Sequence, residues 1–346
     1  MLTPFWSDRT VLVTGGAGLI GSYLVEHLVA DDARVRVADN LDSGSVQNLA
    51  SCLDRVELVK ADLSDPKACR KAVAGMEAVF DLAARTVGIG YSSNHHGQML
   101  HHSLRVSMNI LEASREAGVK RFLVTSSSCV YPDGSPVPTP ESAADRNRPE
   151  AANAGYGWAK RVAEIQGMYY QREYGMEVAI VRLVNAYGPR YHWDHEEPHV
   201  IPALMQRLLR AENPLVIWGS GRQTRSFIHA RDAAMAMKLV LERTTDGNPT
   251  NIGWAEETTI AELVEELTAV AGYHGRTLFD TTKPEGPARK ALDLTRQWTL
   301  IPEFRPTITL REGLRQTWEA AQQFYGPQPS SRPARRVAAA PLLALR

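Results

Sequence analysis

Residues 10–39 constrain this chain more than any other stretch. TVLVTGG is a short apolar run ending in glycine, LIGSYLVEHLVADD repeats its apolar residues at helical spacing, and RVRVADN is a second β-branched run. A strand, helix, strand unit of this kind needs a parallel sheet with the helix packed on one face. Gly15, Gly18 and Gly21 recur as GxxGxxG in the turn from strand to helix, with Leu19 and Ile20 between them. Glycines there permit a tight turn and let backbone N–H groups approach a pyrophosphate at the helix amino terminus. Asp39 closes the second strand about twenty residues further on, where a carboxylate meets both hydroxyls of an adenosine ribose. An extra 2′-phosphate would be repelled there. Arg36 lies inside the strand rather than past its end, so NAD is favoured over NADP.

The alternation continues through VELVKAD, a helix near 66–75, AVFDLAA, a long helix near 97–117 and a strand at 121–127. The expected fold class is therefore α/β, a doubly wound parallel sheet. Asn40, Asp62 and Leu63 at the next strand ends, with Leu82, Ala83 and Ala84, are placed to complete the cofactor contacts. Beyond residue 160 a helix runs to about 174 and EVAIVRLVNAYGP forms another strand. The pattern then loosens into helices at 200–211, 230–243, 259–272 and 309–325 with a short strand at 214–218, which predicts a smaller carboxyl-terminal lobe. Residues 1–183 are expected to be mainly the cofactor domain. Residues 184–326 are expected to be mainly the substrate lobe, with some segments returning to the first domain. Residues 327–346 mix Pro, Ser and Arg without periodicity and read as a flexible tail.

Composition narrows the function. The 39 basic and 39 acidic residues cancel, and no basic stripe interleaves with aromatics, so no nucleic-acid partner is expected. No run of 18 apolar residues exists, and the amino terminus lacks the basic and apolar regions of a signal peptide. A soluble cytoplasmic protein without a membrane partner is the expectation. Cys52, Cys69 and Cys129 are odd in number and lack metal-ligand spacing, so reduced thiols are expected. The histidines at 95, 96, 101 and 102 have no carboxylate or cysteine to complete a metal site, and read as a solvated helix face.

Residues 125–160 carry the chemistry. RFLVTSSS runs into CVYPDG, and YGWAK follows. Tyr156 and Lys160 are four apart and share one helix face, where an ammonium favours the phenolate and makes the tyrosine a base near neutral pH. The hydroxyls at the strand end are suited to hold a reacting oxygen. Cys129 is either a small buried hydrophobe or a group that takes and gives a proton.

Taken together, TGGAGLIG, Asp39, LAA at 82–84, the serine-rich strand end and YGWAK resemble the extended short-chain dehydrogenase/reductase family of nucleotide-sugar enzymes, the NAD-dependent epimerase/dehydratase family. RLVNAYGP at 182–189, WGSGRQTRSFIHARD at 218–232 and NIG at 251–253 extend the resemblance to about residue 325. It implies a Rossmann fold, bound NAD, and a homodimer through the helices near 97–117 and 154–174. It assigns Ser127, Tyr156 and Lys160 to the catalytic triad, and Asn185 and Arg225 to the substrate diphosphate. The residue two before Tyr131 distinguishes members, and cysteine there is similar to the branch of GDP-mannose 3,5-epimerases and GDP-L-fucose synthases, which move protons at sugar carbons 3 and 5. By the same resemblance Gly88 in VGIGYSSNH, His199 and Arg207 in and after HVIPAL, Gln223 beside TRSF, and Arg289 and Lys290 in KPEGPARK bind substrate. His192 and His195 share the loop of His199 and rival it.

The implied activity is that of an NAD-dependent isomerase of a nucleotide-diphosphate sugar, a GDP-sugar by preference and GDP-mannose in particular. Transient oxidation at carbon 4 acidifies the hydrogens at carbons 3 and 5, and Cys129 and His199 serve the two ring faces. The alternatives are an NADPH-dependent epimerase/reductase of a 4-keto-6-deoxy sugar, which Asp39 opposes, and a 4-epimerase, in which Cys129 has no role.

Overall fold

The computed structural model describes residues 3–86, 88–194, 198–283 and 286–326. His195 and the tail expected at 327–346 lie outside the described residues. The first half of the chain runs β1 (Thr10–Thr14), α1 (Gly21–Ala30), β2 (Arg34–Asp39), β3 (Val56–Lys60), α2 (Pro66–Val73), β4 (Ala78–Asp81), α3 (Ile89–Ser92), α4 (His96–Glu116), β5 (Arg121–Ser127), α5 (Ala154–Tyr174) and β6 (Glu177–Leu183). The second half runs β7 (Asn185–Tyr187), α6 (Val200–Leu209), β8 (Leu215–Trp218), β9 (Thr224–His229), α7 (Ala230–Arg243), β10 (Asp246–Ile252), β11 (Glu257–Thr259), α8 (Ile260–Ala271), β12 (Thr277–Asp280), β13 (Arg289–Lys290), α9 (Thr295–Leu300) and α10 (Leu310–Tyr325).

Seven strands form one sheet in the order β10-β6-β5-β4-β1-β2-β3, every pair parallel. Strand alternation divides the core in two. Val11, Val13 and Phe80 pack with Leu24 and Leu28 of α1 and Met237 of α7, whereas Leu12, Val79 and Phe122 pack with Ile110 and Leu111 of α4. The strand order reverses between β1 and β4, and in such a sheet the ligand crevice opens at the carboxyl ends beside that reversal. Thr14 is in register with both Ala38 and Asp81, so the turns after β1, β2 and β4 lie side by side.

The expected lobe has its own core, in which Ile201, Met205, Ile217, Leu263, Leu314 and Trp318 meet. Its sheets are small: β11 and β13 flank β9, β7 also pairs β9, and β12 pairs β8. Residues 246–252, DGNPTNI, look like a turn by composition but form an edge strand of the large sheet, where Pro249 is tolerated because the outer side has no strand to bond. A register shift between Asp246 and Pro249 accommodates it.

Candidate active site

The carboxyl end of β1 fits a dinucleotide. Gly15 takes φ +62, and a Cβ there would stand 3.0 Å from the Leu82 carbonyl and the Ala83 nitrogen, so glycine is required where the turn presses on the 82–84 loop. Helix α1 starts without a side-chain cap on Ile20 and without an acidic residue in its first turn, which leaves its amino terminus to an anion. Thr14 knits the crevice: its hydroxyl donates to Asp81 at 2.8 Å and accepts from the Leu82 and Ala83 nitrogens at 3.0 and 2.9 Å.

Asp39 is buried at the end of β2, its carboxylate accepting from the Ala17 and Leu41 nitrogens. Burial pushes its carboxyl above the usual carboxylate range, against those two bonds, which pull it down. Arg36 is occupied elsewhere, bonded to Glu57 and to the carbonyls of Ala72 and Ala74. Asn40 closes a local turn onto Asp42. Asp62 is exposed and held below the usual carboxylate range by Ser64, next to buried Leu63. The crevice therefore brings together Gly15, Gly18, Leu19, Ile20, Asp39 and the 82–84 loop.

The reactive groups converge from β5 and α5. Ser127 ends β5, and its hydroxyl accepts the Cys129 nitrogen at 3.2 Å, capping the short turn at 128–130. Ser126 points the other way, into a buried network with Glu164, Arg182 and Tyr131. Helix α5 meets this turn closely. A Cβ on Gly157 would lie 2.6 Å from the Cys129 carbonyl, so only glycine lets the helix approach that near. Lys160 is buried, with its ammonium 5.5 Å from the Tyr156 ring centre.

Burial, Cys129 and Asp81 push the Tyr156 phenol well above its ordinary value in the protein alone. Burial lowers the Lys160 ammonium, while Asp81 and Glu164 support it. Asp81, fully buried on β4, is lifted to about 6 by burial against the opposing pull of Lys160 and Thr14. The Cys129 thiol is pushed up to about 12, chiefly by burial; Lys290 pulls it down and Glu150 pushes it up.

The remaining predicted side chains come from other elements. Arg225 and Lys290 are register partners on β9 and β13. Arg225 donates to the carbonyls of Thr224 and Pro287. Gln223 is buried just before β9, and its Oε1 has no hydrogen-bond partner among the described residues. Asn185 donates to the Ser226 carbonyl. Arg207 pairs with Glu212 and donates to the Val216 carbonyl, and Arg289 grips Glu257. His199 is exposed at the amino end of α6. Gly88 is buried ahead of α3, from which Tyr91 stacks on His95 at 3.9 Å; His96 then meets the Gly155 nitrogen beside Tyr156. Asp81 and Glu150 are absent from the sequence-based site. Asp81 was visible as the acidic residue of DLAA, whereas nothing local marks Glu150.

A family model described as "NAD dependent epimerase/dehydratase family" matches residues 11–253. This chain belongs to that family. GDP-L-fucose synthase 1 of Arabidopsis thaliana is 31% identical over 320 residues, covering 90% of this chain and 94% of the relative. The dTDP-4-dehydro-6-deoxy-D-allose reductase of Streptomyces bikiniensis is 33% identical over 321 residues, covering 92% and 97%. Among solved structures, DesIV, a dTDP-glucose 4,6-dehydratase of Streptomyces venezuelae with NAD bound, superposes with a TM-score of 0.78 at 27% identity, covering 91% of this chain and 97% of that one. The chain is thus an NAD-dependent enzyme of nucleotide-sugar chemistry on a Rossmann fold. The crevice lined by Gly15, Gly18, Asp39 and residues 82–84 has the open helix terminus and the buried carboxylate that a dinucleotide needs.

Proposed function

We propose that this enzyme is a nucleotide-sugar epimerase that oxidises carbon 4 transiently and exchanges protons at carbon 3, carbon 5 or both. The observation that carries the reading is Cys129, an ionisable group fixed against the helix of Tyr156 by the Gly157 contact. A 4-epimerase needs no such group. NAD bound in the crevice would supply the hydride acceptor for carbon 4 and a positive ring charge that pulls the Tyr156 phenol down toward a base's range. Tyr156 takes the proton of the carbon-4 hydroxyl, Lys160 orients and charges the phenol, and Ser127 donates to the same oxygen. Once carbon 4 is a ketone, hydrogens on its neighbours are acidic, and Cys129 exchanges one of them. Restoring the hydroxyl needs the proton back from Tyr156 together with the hydride back at carbon 4, so the cycle has no net redox change.

A GDP-sugar is the substrate class we favour, because curated relatives along most of the chain carry the name GDP-L-fucose synthase. Arg225, Asn185 and Gln223 would meet its diphosphate and His199 the opposite ring face. The second reading, an epimerase that also reduces, draws on the same relatives; the commitment of Arg36 to Glu57 and two carbonyls opposes a 2′-phosphorylated cofactor. We also place the enzyme as a homodimer in the cytoplasm. Trp158, Ile165 and Tyr169 form one exposed stripe of α5 beside exposed Met108 of α4, and all three cysteines are free. Among the described residues no helix is long and apolar enough to cross a membrane.

The deciding experiment incubates the protein with GDP-mannose and NAD in deuterated water and follows the sugar protons by NMR. Deuterium at carbon 5 or carbon 3, lost in Cys129→Ser, is the expected result. Inversion at carbon 4 without deuterium would replace this reading with a 4-epimerase, and turnover of a 4-keto sugar with NADPH alone would replace it with a reductase.

A further inference from the structure

The Cys129 thiol has two charged neighbours that come from distant parts of the chain. Glu150, ahead of α5, is only 8% exposed. Its Oε2 accepts the Lys290 ammonium at 2.5 Å and its Oε1 accepts Asn153 at 2.5 Å. Lys290 arrives on β13, 140 residues later, and its side chain keeps 27% exposure. The turn at 128–130, the segment before α5 and β13 therefore bring a thiol, a carboxylate and an ammonium to one spot.

A carboxylate beside a thiol opposes its ionisation and an ammonium favours it. At rest the ion pair neutralises itself and the sulfur keeps its proton, so Cys129 acts first as an acid. After it has given up that proton, the thiolate lies next to a cation that carries protons and reaches solvent.

We propose that the Glu150–Lys290 ion pair reloads Cys129 with solvent protons during epimerisation, an inference that rests on the epimerase reading above. In the forward direction, once the group on the opposite ring face, His199 in that reading, has taken the carbon-bound proton, the S–H bond breaks as a C–H bond forms at the carbon next to the ketone. The enolate electron pair makes the new bond, and the carbonyl re-forms. The thiolate then takes a proton from Lys290, an N–H bond breaking as S–H forms, and the amine recovers a proton from water. The reverse sequence removes a proton from substrate. Glu150 is a positioning residue that holds the ammonium on the sulfur.

Two readouts on the full-length protein test this. The first is the pH profile of Cys129 alkylation by iodoacetamide without substrate, followed by peptide mass spectrometry. Near about pH 8, Glu150→Gln should react about threefold faster or more, and Lys290→Gln about threefold slower or more, since each changes the thiolate fraction. The second is deuterium wash-in from solvent with GDP-mannose and NAD. Lys290→Arg keeps the charge and the pair but does not release a proton. It should alkylate within about twofold of wild type and yet lose about tenfold or more of the wash-in rate. Equal alkylation across all variants, or full wash-in by Lys290→Arg, would overturn the reloading role while wild-type wash-in upholds the epimerase. A wild type that takes up no deuterium overturns the epimerase reading, and this role with it.

Discussion

The network behind the catalytic strand gives the sharpest stability prediction. Arg182 and Glu164 are 3% and 4% exposed and joined by two bonds, Nη2–Oε2 at 2.6 Å and Nε–Oε1 at 2.8 Å. Arg182 also donates to the Glu141 carbonyl at 2.7 Å and to the Tyr131 hydroxyl at 3.2 Å. Arg182→Met therefore strands a buried carboxylate, with the Ser126 hydroxyl as its remaining bonded partner among the described residues. Removing one member of a buried pair costs about 3–5 kcal/mol. At about 2 °C per kcal/mol for a chain of this size, Tm should fall by about 6–10 °C. Differential scanning calorimetry and urea unfolding at neutral pH measure this. The double variant Arg182→Met with Glu164→Leu should recover about half of the loss or more, because the stranded charge is then gone. A single-variant loss of under about 1 kcal/mol, or a double variant no better than the single, would refute the claim that Glu164 depends on its partner.

Other outcomes follow from particular side chains. Tyr156→Phe should lower kcat by a factor of about 10²–10⁴ in the epimerisation assay while NAD affinity by calorimetry stays within about threefold. Asp39→Asn should weaken NAD about tenfold in the same calorimetric titration, since a charge-assisted bond to the ribose becomes a neutral one. His229 is fully buried and burial lowers it to about 4, below its unfolded value near 6.5. The unfolded chain takes up a proton that the folded chain refuses, so this contribution is complete above about pH 6.5 and falls by up to about 3 kcal/mol as pH drops toward 4. His229→Phe should flatten that part of the pH profile of urea midpoints. Arg289→Ala removes a half-exposed pair with Glu257 and should leave the urea midpoint essentially unchanged.

Much of the fold was legible because its signals are local. The β-branched runs at 10–14, 34–39 and 121–127 and the glycines after Thr14 need no distant partner to be read. Tyr156 and Lys160 were legible for the same reason, being one helical turn apart. The edge strand at 246–252 was not, because its Asp, Gly, Asn and Pro read as a turn and only its place beside β6 makes it a strand. Glu150 was invisible in a stronger sense. Its partner Lys290 is brought to it by the pairing of β13 with β9, and a two-residue strand leaves no periodic trace. The upward push on the Tyr156 phenol belongs with these: it comes from burial, Cys129 and Asp81, which spacing along one helix does not report.

The contact between Gly157 and the Cys129 carbonyl has a consequence for how such an enzyme diversifies. Because the backbones touch, the phenol and the sulfur form one rigid jaw, and tilting α5 by a fraction of an ångström shifts both. A lineage or an engineer seeking a different sugar has little freedom to retune one group alone. Changes in specificity are then easier to reach through residues that do not lie on this shared contact.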